Sequence, residues 1–398
     1  MTTFDDYTRQ AAQLDASNPL AAARGQFDLP ETESYFLGNS LGPLTHAARA
    51  AVVRTLDDEW RNGLVRTWHD GDWLDLAGAT GDLVARVIGA PAGSVIAGDS
   101  TSVALFKVLS AAAHINKSPT RRVMLCDSRN FPTDRYVARS VADLFGLDFV
   151  ELEVTDMPAR FGDDVAVMTA SMIDYRSADL HDVGAVTAAA HEHCILTVWD
   201  LAHAAGAVKC DVLANDVDFA VGCGYKYLNG GPGAPAYMYA APRIIGSVNQ
   251  PIPGWFGHAE PFAFEDTYRP ADGVARFSSG TTHVLSMKAM HAALGVITSF
   301  PIDDLRSTCI RLGDFFVEGY DRFLSTSGFG LGSRRDGSLR GGHIALLHPD
   351  AERMSKELIA RGLVVDFRPP DVIRVAFSPL FLRFADVARL VGELSNLE

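Results

Sequence analysis

Apolar residues recur along this chain with two different spacings, and the alternation between them predicts the architecture. Over residues 73–89, Thr101–His114, Val137–Phe145 and 179–192 they fall three and four apart, as on a helix with one face against a core. Between those stretches lie short, largely apolar runs: Arg121–Cys126, Leu147–Leu152, Val165–Thr169, Cys194–Asp200 and Asp218–Cys223. Such runs, without strict alternation, mark strands buried on both faces. Strand and helix in turn predict an α/β fold, a mostly parallel sheet covered by helices on both sides.

The two ends of the chain read differently. Residues 1–30 predict a short helix and a turn ending at Pro30, and the glycine-bracketed polar loop Phe36-Leu-Gly-Asn-Ser-Leu-Gly-Pro43 follows. Thr45 can cap the next helix, on which Val52, Val53, Leu56 and Trp60 form one apolar stripe. Beyond about residue 285 the pattern predicts helices 285–299 and 303–325, then a glycine- and arginine-rich loop, 328–342. Strand 343–348, helix 350–361, strands 363–367 and 371–377 and a helix from 384 complete a small α+β domain. The expected division is an N-terminal segment, 1–45, contributing to the site and the small domain, a large domain, 46–284, and a small C-terminal domain, 285–398.

Composition narrows the function. The 398 residues carry 35 basic and 49 acidic side chains, a net charge of −14, with no basic block. Nucleic acid and anionic membrane are therefore not expected partners, since both demand clustered Lys and Arg; a small anionic substrate needs only a few local cations. The polar N-terminus lacks the pattern of a signal peptide, and no apolar stretch approaches the roughly 20 residues of a membrane span. The five cysteines never form C-x-x-C, so they read as small buried residues in a reducing, cytoplasmic protein with no metal site.

The densest chemistry lies in Leu196-Thr-Val-Trp-Asp200-Leu-Ala-His203 and Gly222-Cys-Gly-Tyr225-Lys226-Tyr-Leu-Asn. A carboxylate ends one apolar run and a lysine ends the next, with tyrosine and histidine close by. A lysine at the mouth of such a sheet suits imine chemistry on a carbonyl cofactor. Asp200 can hold a pyridine nitrogen protonated or simply cap the following turn. Gly98-Asp-Ser100-Thr101-Ser, before a helix, supplies the amides and hydroxyls a phosphate needs, or only a helix cap. Phe131-Pro132-Thr133-Asp134 opens another helix with an aromatic ring that can stack on a planar group. Arg374, in Val372-Ile-Arg-Val-Ala-Phe377, can grip a carboxylate with its two-pronged guanidinium or sit on an edge strand facing water.

In order along nearly the whole chain, these motifs resemble the kynureninase family of fold-type-I pyridoxal-phosphate enzymes. The resemblance runs from Phe36-Leu-Gly-Asn-Ser-Leu-Gly through Phe131-Pro-Thr-Asp, Trp199-Asp-Leu-Ala-His-Ala and Tyr225-Lys-Tyr-Leu-Asn, to Gly254-Trp-Phe-Gly-His258 and Ile373-Arg-Val-Ala. It implies that Lys226 bonds pyridoxal 5'-phosphate and acts as general base, and that Asp200 binds the ring nitrogen. It further implies that Phe131 stacks on the ring, with Ser100, Thr101, Pro132, Thr133, Asp134, Ser171, His203 and Tyr225 completing the cofactor contacts. Tyr225 is also a candidate acid–base relay. Trp255 and Thr281 would reach the phosphate, in this family typically across a homodimer interface. Arg374 would hold the substrate carboxylate, with Asn39 and Ser40 bordering the substrate. The implied reaction is hydrolysis of L-kynurenine to anthranilate and L-alanine in tryptophan catabolism. Phe277-Ser-Ser-Gly-Thr281 lacks the asparagine that animal members set against a hydroxylated ring, which favours kynurenine over its 3-hydroxy form. The loop at Trp68-His69 is a further candidate for the substrate ring.

Two rivals have less support. A cysteine desulfurase of the same fold needs a nucleophilic cysteine on a mobile loop, and the loop Ser325–Gly342 contains none. A Rossmann-type nucleotide binder needs G-x-G-x-x-G after its first strand, and the chain has no such run.

Overall fold

The computed structural model describes residues 3–397. A first short strand, β1 (Ser34–Tyr35), precedes the strands of the large sheet. These are β2 (Val95–Gly98), β3 (Val123–Asp127), β4 (Asp148–Leu152), β5 (Val165–Ser171), β6 (Leu196–Asp200), β7 (Phe219–Cys223) and β8 (Ala236–Ala240). They pair in the order β2-β8-β7-β6-β5-β3-β4. The run from β7 to β4 is parallel throughout, and β8 opposes both of its neighbours, so the sheet is mostly parallel. Every residue of β3, β5, β7 and β8 is buried, which is why their sequences run apolar without alternation.

Helix Thr101–Asn116 crosses β5 to β8 on one side, and helix Val183–Glu192 packs on β6. There Trp199 donates its indole N–H to Thr187 Oγ1 at 3.1 Å. Strands β2 and β8 carry no strong sequence signal: one has four residues, and the other sets two tyrosines around a methionine between alanines.

The second sheet is antiparallel and is formed by β9 (Gly330–Leu331), β10 (His343–Leu347), β12 (Asp366–Arg368) and β13 (Val372–Ala376) in the order β12-β13-β10-β9. The stretch predicted as one strand over 363–367 is two. Its first half, β11 (Leu363–Val364), pairs in parallel with β1, while β12 pairs with β13. The N-terminal segment thus joins this half of the molecule. Its helix Phe4–Ala16 lies on the last helix, Phe384–Ser395, and Tyr7 stacks on Phe315 with ring centroids 4.2 Å apart. Helix Val284–Ile297 packs instead on helices His46–Arg54 and Leu76–Ile88, beside the large sheet.

A second expectation changes. Thr45 does cap its helix, accepting from Ala48 N–H at 3.0 Å, but that helix ends at Arg54 and continues as π-helical turns over Thr55–Gly63. The predicted stripe does not face the core, because Val53, Leu56 and Trp60 all stand exposed.

Candidate active site

The chain runs from β3 outward to β4, then returns to β5 and proceeds the other way, so the strand order reverses between β3 and β5. In open α/β sheets the crevice beyond the strand ends at such a reversal is where ligands bind. Loops leaving β2, β3, β5, β6 and β7 here enclose a cavity of about 390 Å³.

Lys226 lies just past β7, its Nζ 3.0 Å from His203 Nε2. The Phe36–Pro43 loop closes over this turn, Gly42 donating its N–H to the Tyr225 carbonyl at 2.7 Å. A Cβ on Gly42 would stand 2.5 Å from the Lys226 carbonyl oxygen and 2.6 Å from Asn229 Cα, so only glycine permits the approach. That approach brings Asn39 and Ser40 to the cavity wall. Asn39 is fully buried, and neither of its amide atoms has a partner among the described residues.

Asp200 ends β6. It accepts from Ala202 N–H at 2.8 Å, and Ser171 Oγ, at the end of β5, lies 3.4 Å from it. It therefore does cap the following turn, while also facing the cavity. Asp134, in the first turn of helix Pro132–Phe145, adjoins it. Burial, and then the charge of Asp200, push the Asp134 carboxyl well above the ordinary carboxylate range. Burial also raises Asp200, against the opposing pull of Lys226. Two adjoining buried carboxyls, with Asp134 Oδ2 unpartnered among the described residues, favour a cationic N–H beside them. His203 is pushed well down by burial and then by Lys226, so its ring is neutral.

Helix Thr101–Asn116 begins at the cavity, with Thr101 and Ser102 in its wall and Ser100 as the cap, accepting from Val103 N–H at 3.5 Å. Its free amides and hydroxyls suit a phosphate. Phe131 is 42% exposed and meets Tyr175 edge-on, centroids 5.2 Å apart. Thr133, Asp134 and Tyr225 share the same wall. Burial, then Cys223, raise the Tyr225 hydroxyl's pKa, so it stays protonated at neutral pH.

Arg374 reaches the cavity from β13, between β12 and β10, and is 1% exposed, which excludes the water-facing edge-strand alternative. Its Nε donates to Asp366 Oδ1 at 2.9 Å and its Nη1 to the Tyr175 carbonyl at 2.9 Å. Nη2 donates to Ser40 Oγ at 3.2 Å and also to Asp366 Oδ2.

Four of the residues implied to contact the cofactor stand apart from the cavity wall. Ser100 caps and Pro132 opens their helices from just outside it. Trp255 packs against Phe256 and Phe262, and Thr281 lies exposed before helix Val284–Ile297; neither reaches the cavity of its own chain. Trp68 also turns away, edge-on to Trp73 and Phe256. Tyr175 and Arg368, not singled out in the sequence, do line the cavity, as does Ser102 of the predicted phosphate run. The only available signal was for Arg368: Asp366-Phe-Arg368 puts two charges on one face of a strand beside the apolar strand of Arg374.

The fold and this site define a fold-type-I pyridoxal-phosphate enzyme, and residues 78–329 match the class-V aminotransferase family. C-DES, solved with glycine covalently linked to its PLP cofactor, has the same fold: TM-score 0.84 over 94% of this chain and 99% of that one, at 15% identity. The apo cysteine desulfurase of Thermococcus onnurineus NA1 gives 0.80 over 94% and 97%, at 16% identity. Such identities speak for the fold alone.

Residues 305–394 match the kynureninase C-terminal domain. A kynureninase of Deinococcus radiodurans is 41% identical over 97% of this chain and 95% of its own length. One from Pseudomonas fluorescens is 38% identical over 99% and 96%. The chain belongs to the kynureninase family.

Proposed function

We propose that this protein is a pyridoxal-phosphate-dependent hydrolase that splits L-kynurenine, with water, into anthranilate and L-alanine. The observation that carries this reading is one cavity shared by Lys226, the buried Asp134–Asp200 pair and the Arg374 guanidinium, in a chain alike to kynureninases almost end to end. The donor set fits the cofactor. Lys226 would bond it, Asp200 with Asp134 would hold the ring nitrogen, Thr101 and Ser102 with the amides of the helix that Ser100 caps would take the phosphate, and Phe131 would cover the ring. Bound there, pyridoxal phosphate supplies an aldehyde carbon and an electron-withdrawing ring that acidifies the substrate α-carbon.

The remaining work falls to the chain. Arg374 binds the α-carboxylate and so fixes which substituent of the α-carbon faces Lys226. Lys226 Nζ takes the α-proton as general base. Asp200, in a water-poor setting, would keep a bound pyridine nitrogen protonated. Phe131 excludes water from one side, while a water must reach the aryl ketone from the other. That water adds to the ketone, the Cβ–Cγ bond breaks, anthranilate leaves, and Cβ takes a proton to give alanine. The Tyr225 hydroxyl is the acid we assign to the carbonyl side of the substrate.

A desulfurase reading lacks its nucleophile. Cys223 and Cys309 are buried, and Cys194, the exposed one, precedes β6 at the opposite end of the sheet from the site. No helix among the described residues is long and apolar enough to cross a membrane. We read the protein as a cytoplasmic homodimer that prefers kynurenine to 3-hydroxykynurenine. The test is holoenzyme mixed with each substrate, with Lys226→Ala as control. Anthranilate and alanine in equal amounts, lost in the variant, are expected. No product from either substrate, with cofactor visibly bound, would overturn the reading.

A further inference from the structure

Arg374 does not meet the cavity with a free fork. Asp366, its cross-strand partner, takes the Nε–Nη2 edge, Ser40 Oγ takes the second Nη2 N–H and the Tyr175 carbonyl one of the two on Nη1, which leaves a single Nη1 N–H for a ligand. A second guanidinium stands beside it. Arg368 lines the same cavity and donates from Nη2 to Asp366 Oδ2 at 3.0 Å. Its Nε is buried with no acceptor among the described residues. Ser40 links the group, accepting from Arg374 and donating to Asp366 Oδ2 at 3.2 Å. Two guanidinium groups and one carboxylate leave one positive charge, held partly out of water. An unmatched charge and an unsatisfied buried N–H are both costly, and one monoanionic carboxylate relieves both.

We propose that Arg368 is a second carboxylate-binding residue: with Arg374 it forms a two-arginine clamp, braced by Asp366, for the α-carboxylate of the amino-acid substrate. This rests on the reading of the site as one for an α-amino acid. Arg368 adds a hydrogen bond and charge that Arg374 alone, with four of its five N–H groups engaged, cannot supply. A purely structural Arg368 would hold Asp366 in place and be indifferent to the ligand's charge.

The test is binding, read by calorimetry on the holoenzyme, of L-alanine and of L-alaninamide, which lacks the carboxylate. In the wild type L-alanine is expected to bind more tightly. In Arg368→Gln its Kd should rise by about tenfold to a hundredfold, the range of one charge-assisted hydrogen bond, with L-alaninamide unchanged. Arg368→Lys, which keeps the charge, should recover part of the loss and guards against a folding failure in the glutamine variant. Three outcomes would overturn the proposal: equal losses for both ligands, no loss, or no wild-type discrimination between them. Kynurenine cleavage by the wild type, measured separately, reports on the function and not on Arg368.

Discussion

His343 begins β10, fully buried, its ring centroid 5.7 Å from that of His203 and neither nitrogen bonded among the described residues. Burial, then the charge of Arg374, push its pKa from 6.5 down to about 3. Between those values the unfolded chain binds a proton that the folded chain refuses. Stability from this residue is therefore complete above pH 6.5 and is lost as pH falls towards 3, by up to about 1.4 kcal/mol per unit. Asp127 acts the other way: burial raises it to about 6, so its contribution is largest in acid and fades as pH rises from 3.8. The wild type alone thus mixes signs, and comparison with His343→Gln separates them. Urea unfolding should show the variant losing less stability than the wild type between pH 6.5 and 4.5. Parallel curves would mean that His343 is protonated or solvated in the folded state. Nothing in the sequence marked this histidine, because its surroundings are assembled from β6, β10 and β13, far apart along the chain. Lys226, Asp200 and Arg374 stood out because each sits at the end or in the middle of an apolar run, where a charge requires a reason.

At the scale of elements, the turn from β2 into helix Thr101–Asn116 depends on a contact the periodicity hid. Lys107 lies on a helix that reads as apolar, yet it is fully buried and paired with Asp99, whose φ of 56° is rare for a non-glycine residue. It also donates to the Phe277 carbonyl at 2.8 Å, tying the helix start to the segment that leads to Ser278–Thr281. Lys107→Met strands the Asp99 carboxylate and should cost about 3 kcal/mol, the low end for a broken buried pair, since Asp99 keeps some access to water. The phosphate-facing helix start should loosen with it. A lower Tm together with a raised Kd for pyridoxal phosphate is expected; unchanged values for both would make the pair redundant. The same limit explains what else the pattern concealed. Long periodic helices and fully apolar strands were legible, whereas β2 and β8 were too short or too mixed to show. The break at Arg54 into π-helical turns turned a predicted core stripe outward, because its register follows packing on helix Val284–Ile297 and not local periodicity.

That outward stripe sets the expectation for the whole molecule. Val65 is 74% exposed and Trp60 54%, with Val53, Leu56 and Leu64 beside them along one chain segment. Two apolar grooves flank the stripe and share Leu285 and Ser286 as a wall: one runs over Leu41, Leu44 and Val52, the other over Trp60, Val65 and Thr282. Monomers rarely leave so continuous an apolar surface in water. Thr282 places the Ser278–Thr281 loop at the rim of this surface, and Trp255 and Thr281 do not reach the cavity of their own chain. The homodimer we propose, with a second copy on the stripe, would account for both facts, since it would bury the apolar face and could bring those two residues to its neighbour's phosphate end. Charge in the stripe should therefore cost both assembly and cofactor. Trp60→Glu with Val65→Glu, each far from its own cavity, is expected to shift sedimentation from dimer to monomer and to raise the Kd for pyridoxal phosphate at least about tenfold, the loss of one charge-assisted hydrogen bond or more. If the variant is monomeric yet binds cofactor as tightly as the wild type, each chain completes its own site and Trp255 and Thr281 have no part in it. If it remains dimeric, the stripe is not the interface, and the search moves to the aromatic cluster around Phe262 and Phe264.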